Sequence, residues 1–265
     1  MWKSLRNYLG LVHAYSRINL NAQLEYRGAF ISEAAAMLIN DCFWVGFWVV
    51  FFAKFPVLQG WAIKDVLTLW AITAAGFGIA FALMGNAWHL AGLIVNGQLD
   101  LWLLQPRAIL PHVLVGRTMA TAWGDAAFGY LAYLLFVRPD WRHLALFVLL
   151  SFSVALVFAG FGVLSASLAF YLGNGTLLSE QWRFALITFA TYPDSLFSGF
   201  VKLLLFTALP AGFISYLPVR ALRSLSLIDA GLAMLGALAV AGLGTAVFYL
   251  GLRRYESGNL ISMNG

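Results

Sequence analysis

The feature of this sequence that most restricts its fold is a run, Val66–Trp88, without a single charged side chain. A transmembrane helix needs about 20 such residues to cross the hydrocarbon core of a bilayer. Only 10% of the 265 residues are charged, against about 25% in soluble domains. Small residues at every fourth position of the run, Ala74, Gly78 and Ala82, predict a close contact between helices. The chain is therefore expected to be an all-α integral membrane protein.

Apolar runs of this kind recur, and we expect six transmembrane helices within one transmembrane domain, residues 1–265. Basic residues are slightly more numerous on the side of the two termini, which favours cytoplasmic termini. The segment 184–217 is too long for one upright span and too short for two. The predicted spans are residues 30–53, 66–88, 109–136, 143–172, a fifth within 184–217, and 230–252.

The N-terminal segment, residues 1–28, has the pattern of an amphipathic helix. Lys3, Arg6 and Arg17 fall on one half of the helix, while aliphatic and aromatic residues fall on the other. A basic face opposite an apolar one is typical of a helix that lies in the membrane plane. The alternative is a solvated cytoplasmic tail.

Residues 192–227 are interrupted by prolines, among them Pro193, Pro210 and Pro218. Irregular backbone at membrane depth must be buried in protein or line a cavity. We therefore expect a broken segment before the last span that is re-entrant or lies at the membrane interface.

A polar stretch, residues 89–108, separates the second and third spans. Asn96-Gly97 is a strong turn signal, and Pro106 cannot continue a helix. Between them we expect a short helix, Gln98–Leu104, with its row of Leu99, Trp102 and Leu103 in an interface or against another protein. The alternative is a tight loop between two membrane helices.

Acidic residues inside the apolar runs are the main candidates for a functional site. Asp41 and Asp125 fall near the middle of the first and third predicted spans, and Tyr192 and Asp194 lie at the break in the fifth. Charge at this depth is costly and marks a pathway or a partner by default. These four residues are the candidate substrate path. The alternative is structural, with protonated or hydrogen-bonded acids joining helices.

Several kinds of chemistry are not expected. No lysine follows a glycine, so a Walker A loop is missing from the sequence, and no histidine pair has metal-ligand spacing. A single cysteine, Cys42, leaves no internal disulfide framework. Basic residues outnumber acidic ones by 16 to 11, but much of the excess lies near the termini and span ends, which suits lipid headgroups rather than nucleic acid.

Taken together, the architecture resembles the permease subunit of a type-2 ABC exporter. Gly97-Gln98-Leu99-Asp100 with Leu103-Leu104-Gln105-Pro106 is similar to the "G-x-L-D … L-L-x-P" stretch of a bacterial subfamily. Tyr192-Pro193 with the later prolines resembles a second recurring block of that subfamily. Tyr255-Glu256-Ser257-Gly258 resembles the usual ending of its members. Gln105 stands at a position where an arginine is frequent in the subfamily.

The resemblance implies two permeases, identical or paralogous, with two separate ATP-binding subunits that bind ATP and Mg, so this chain would hold no cofactor. It also implies the cytoplasmic (inner) membrane of a bacterium, and a substrate path between the two permeases. The cargo would be hydrophobic, amphiphilic or cationic: a drug, a toxicant or a lipid-like molecule. The residues expected to form the coupling helix that contacts the ATPase are Gly97, Gln98, Leu99, Asp100, Trp102, Leu103, Gln105, Pro106 and Arg107.

Two other functions remain open at this point. An intramembrane enzyme that modifies lipids would use Asp41, Asp125 and Asp194 as acid and base groups. A scaffold without transport activity would anchor a cytoplasmic partner. Copurification with a nucleotide-binding subunit distinguishes the permease from both.

Overall fold

The computed structural model describes residues 2–255, with side chains described from Gly10 onward. This part of the chain is all-helical, with 81% helix and no strands. The helices are α1 (Trp2–Glu25), α2 (Arg27–Lys54), α3 (Ile63–Leu83), α4 (Asn86–Val95), α5 (Asp100–Leu103), α6 (Ile109–Val115), α7 (Ala120–Ala132), α8 (Trp141–Ser167), α9 (Ala169–Leu172), α10 (Thr176–Ala190), α11 (Gly199–Leu204), α12 (Leu217–Ser224) and α13 (Leu227–Leu252).

Five helical stretches in the described residues are long and apolar enough to cross a membrane. They are α2, α3, α7 with the π-helical turn Tyr133–Val137, α8 with α9, and α13. Helix α3 lies at the centre and is mostly buried, while α2 and α13 lie at the periphery with most of their apolar side chains exposed. An apolar exterior of this kind is suited to lipid.

Small residues allow the central helices to touch. A Cβ atom on Gly78 would lie 2.3 Å from the backbone nitrogen of Ala126 in α7, and one on Gly129 would lie 2.4 Å from that of Ala75 in α3. Similarly, a Cβ atom on Gly160 of α8 would lie 2.7 Å from the Cα atom of Ala241 in α13. Helix association in lipid depends on such close packing, so the contact predicted from the small residues of the second span is confirmed.

The bundle has two ends that differ in what they carry. At the first, here called the terminal end, α1 packs on α6, where Gln23 donates a hydrogen bond to the Thr118 carbonyl at 2.7 Å, and Tyr255 lies beside Asp100. At the other, called the distal end, the Trp61 ring N–H donates to Asp194 at 3.2 Å. The predicted coupling stretch therefore lies at the same end as α6, the end of α1 and Tyr255.

The structure corrects the limits of two predicted spans. Helix α3 ends at Leu83, because the chain turns at Met84-Gly85 before α4 begins. The stretch 109–136 is divided into α6 and α7 by a turn at 116–119. In that turn the Arg117 carbonyl accepts a hydrogen bond from the Gly85 N–H at 2.9 Å, and the Met119 N–H donates to the Phe81 carbonyl at 3.1 Å. These bonds to α3 and its C-terminal turn replace the ones that would continue α6.

Residues 192–227 consist of short helices and turns. Helix α10 has 15 residues, fewer than the roughly 20 of an upright span. A 3-10 turn, α11, a π-helical turn and α12 follow it. Asp194 at the start of this segment bonds to Trp61, and Arg223 near its end forms an ion pair with Asp65 at 2.7 Å. The segment therefore returns to the distal end from which it starts.

Helix α1 covers the predicted amphipathic segment. Arg17 is exposed on it. Lys3 and Arg6 lie on the same helix, but their side chains are outside those that the structure describes, as are residues 256–258 of the ending motif.

Candidate functional site

A cavity of about 430 Å³ lies between α2, α3, α7 and α10 and is the candidate functional site. Its lining combines seven aromatic residues with seven polar ones. The rings belong to Trp44, Trp70, Phe77, Trp88, Phe158, Phe184 and Tyr192. The polar groups belong to Asn40, Asp41, Thr73, Thr121, Asp125, Thr188 and Thr191.

Asp41 of α2 and Asp125 of α7 meet in this cavity. Both residues are almost fully buried, with 4% and 3% of their surface exposed, and their carboxyl groups lie within hydrogen-bonding reach of each other. On each of them the Oδ2 atom has no hydrogen-bond partner among the described residues. Two adjacent carboxyl groups in an apolar site cannot both be ionised, because like charges repel strongly there. The pair is therefore a compact acidic site that carries at most one negative charge.

The approach of α2 to α7 explains how the two acids come together. Gly124 precedes Asp125, and a Cβ atom on it would lie 2.3 Å from the carbonyl oxygen of Ala34 in α2. Any larger residue would hold the helices apart. Asp41 and Trp44 are three residues apart on α2 and hence lie on the same face.

The aromatic rings of the cavity differ in whether their faces are free to contact a ligand. Trp44 and Trp70 stack with their centroids 5.5 Å apart, and both line the cavity together with the acid pair. Trp88 already carries the guanidinium of Arg183, whose Cζ atom lies 4.7 Å from the ring centroid. A cation is attracted to the face of an aromatic ring. The Trp44–Trp70 side of the cavity is therefore the part that suits an organic cation.

Of the four residues expected in a substrate path, the structure brings three together. Asp41, Asp125 and Tyr192 line the cavity. Asp194 does not, because it is held at the distal end by Lys202 at 2.9 Å and by Trp61. The tryptophans of the cavity were not predicted, since a ring inside an apolar run has the same pattern as ordinary packing.

The predicted coupling stretch forms α5 and its flanking turns at the terminal end. Gly97 has φ +68°, the left-handed backbone that its turn with Asn96 requires. Leu99 is fully buried, and Trp102 turns inward, so the predicted row of three is divided between two faces. Exposed residues instead form a surface, here called the coupling surface, which consists of Leu101, Leu103, Leu104, Gln105, Pro106 and Arg107.

Trp102 connects α5 to α6 and α1 through His112. Its ring lies edge-on to the imidazole of His112, with 5.0 Å between centroids, and a Cβ atom on Gly116 would lie 2.4 Å from it. On its other side, His112 shares a hydrogen bond of 2.7 Å with the Tyr15 hydroxyl of α1. A displacement of α5 would therefore be passed to both helices.

Among the described residues, no three histidine, cysteine or acidic side chains lie close enough to hold a metal ion. The cavity and the coupling surface are therefore the two candidate functional features among the described residues.

A comparison with protein families gives one match, to a family described as ABC-2 family transporter protein, over residues 38–259. The search of curated proteins and the search of solved structures gave no match. The matched region contains both the cavity and the coupling surface.

Proposed function

Because the chain belongs to the ABC-2 family, the permeases of ABC transporters whose ATPase activity lies in a separate subunit, we propose that it exports hydrophobic organic cations. The cavity lined by the acid pair and the Trp44–Trp70 stack carries this proposal. Binding sites for small molecules are typically apolar, with a volume of about 300–1,000 Å³ and few polar groups. A cargo with one positive charge would stabilise the ionised form of the acid pair, which carries at most one negative charge.

The coupling surface is where the ATPase would bind. Its apolar residues, Leu101, Leu103 and Leu104, have no cover from the rest of the described chain. When the ATPase moves α5, Trp102 transmits the movement to α6, which is joined to α7 and Asp125 by the turn at 116–119. The separation of Asp125 from Asp41 would then depend on the state of the ATPase, which is how a cargo site is opened and closed.

The proposed assembly contains two permeases, identical or paralogous, and two ATP-binding subunits that hold ATP and Mg. Each permease is one transmembrane domain that crosses the cytoplasmic membrane of a bacterium six times, with α10 as a short fifth crossing. Residues 192–227 form a re-entrant segment on the outer side. Cytoplasmic termini are supported by the position of the coupling surface at the terminal end, since the ATPase is a cytoplasmic partner.

Substitution of the acid pair tests the cargo. In Asp41→Asn or Asp125→Asn one carboxyl group remains and can still ionise beside a cation, whereas the double variant has no charge to offer. We expect the double variant to lose at least about tenfold in transport of a lipophilic cation, equivalent to about 1.4 kcal/mol. Transport of a neutral analogue should change little, and each single variant should retain part of the activity.

The measurement is ATP-dependent uptake into inverted vesicles that contain the complete transporter. Asp194→Asn is the matched control, because Asp194 lies outside the cavity. Equal losses for the cation and for its neutral analogue would contradict the proposed cargo and would make the acid pair a structural element.

A further inference from the structure

A second cavity, of about 270 Å³, lies at the distal end, between the beginnings of α3 and α8 and the end of α12. Basic residues from three separate segments line it, namely Lys64, Arg138 and Arg223. We propose that this cavity binds the phosphate of a phospholipid headgroup. The proposal does not depend on the cargo of the first cavity, because the two cavities share no lining residue.

The acidic residues of the second cavity already have partners. Asp65 accepts hydrogen bonds from Arg223 at 2.7 Å and from the backbone N–H of Ala62 at 2.9 Å. Asp140 accepts the backbone N–H of His143 at 2.9 Å and contacts its ring, and these bonds lower the pKa of its carboxyl group. Both carboxylates therefore cap helices or bind a neighbouring side chain.

Lys64 and Arg138, in contrast, form no ion pair with any described residue. The lining contains three cationic side chains, Lys64, Arg138 and Arg223, against two carboxylates, with His143 beside them. The positive side chains exceed the negative ones, and they come from both sides of the cavity. A guanidinium group and an ammonium group are the usual partners of a phosphate.

Tyr133 adds a hydroxyl donor at the wall of the cavity. Its ring is almost fully buried, with 1% exposed, and stacks on Phe147 with 3.9 Å between centroids. The hydroxyl makes no hydrogen bond to another described residue, so it is available as a donor at the cavity. A rigid donor without a partner, beside basic side chains, is suited to an anionic oxygen.

The position of the cavity favours a lipid over a free ion. The third candidate span ends at Val137 and the fourth begins at Trp141, so the cavity lies where the spans leave the membrane. Leu135, Phe136 and Trp141, on either side of Arg138, are all exposed. A headgroup fits in the cavity, and the acyl chains would lie along these apolar side chains. Inorganic phosphate offers the same chemistry without the chains.

The test compares both sources on the purified protein in detergent. Short-chain phosphatidylglycerol, inorganic phosphate and diacylglycerol are added separately, and the thermal unfolding midpoint is measured. We expect phosphatidylglycerol to raise the midpoint by several degrees in the native chain. We expect the same concentrations of phosphate and diacylglycerol to have little effect.

Two variants locate the effect. Lys64→Gln with Arg138→Gln should abolish the shift caused by phosphatidylglycerol, and Tyr133→Phe, which keeps the ring stacked on Phe147, should reduce it. Lys54→Gln with Arg27→Gln is the control, because these exposed basic residues of α2 do not line the cavity. An unchanged shift in the first variant would overturn the site. A shift produced equally by inorganic phosphate would overturn its assignment to lipid.

Discussion

Gly124 determines how closely the first and third spans approach at the acid pair. Beyond the Ala34 carbonyl oxygen, a Cβ atom there would also lie 3.1 Å from Cβ of Met37. A backbone oxygen and a Cβ atom of the same helix, α2, leave no room for a side chain at this position. The contact between the carboxyl groups of Asp41 and Asp125 therefore depends on a residue that carries no chemistry itself.

Replacement of this glycine tests the dependence. We expect Gly124→Ala to destabilise the chain by about 1–3 kcal/mol, the usual cost of extra volume in a packed interior, and to weaken cation transport. Gly242→Ala is the control, because a Cβ atom on Gly242 of α13 meets nothing within 4 Å. Thermal unfolding and vesicle uptake measure the two effects. Equal behaviour of both variants would contradict the role assigned to Gly124.

The acids themselves were predictable as candidates, but their contact was not. A carboxyl group inside an apolar run is conspicuous in any sequence. That Asp41 and Asp125 meet, while Asp194 pairs with Lys202, depends on which helices pack together. Residue type alone carries no information about tertiary neighbours that lie far apart in the chain.

At the scale of elements, α5 has two faces with different roles. Trp102 packs against His112 and Gly116, whereas Leu104 is 84% exposed. We expect Trp102→Ala to destabilise the chain by about 2 kcal/mol, roughly half the cost for a fully buried ring, because Trp102 is half-buried. Leu104→Arg should leave the unfolding midpoint unchanged and weaken copurification with the ATPase.

Parallel measurement of the unfolding midpoint and of ATPase copurification separates these roles. Lys54→Gln is the control for Leu104→Arg, because Lys54 is exposed and lies at the end of α2, far from α5 in the fold. If Leu104→Arg binds the ATPase as well as the native chain, the coupling surface is not the contact.

The limits of α6 show what hydropathy cannot predict about an element. Residues 109–136 are apolar enough for one span, but the bonds from Gly85 and Met119 that form the turn involve backbone atoms. Backbone bonds of this kind leave no signal in side-chain periodicity. The turn at Asn96-Gly97 could be predicted, because it depends on the residue type at the turn itself.

At the scale of the whole molecule, the terminal end carries the proposed ATPase contact, and the sequence contains no Walker A motif. We expect the purified chain alone to hydrolyse no ATP and the complex with its ATP-binding subunit to do so. A complex whose ATP-binding subunit lacks the Walker A lysine controls for contaminants. ATP turnover by the isolated chain would contradict the proposed division of labour.

The central position of α3 has a consequence for how this protein is made. Helix α3 leaves the ribosome early, but α7 and α8, which bury it, are synthesised later. Until they arrive, the small residues on α3 face lipid without the close contacts that hold membrane helices together. A nascent chain that stops before α8 would therefore be an incomplete bundle. We expect such a chain, and the first two spans alone, to be degraded more quickly by membrane proteases than the full chain.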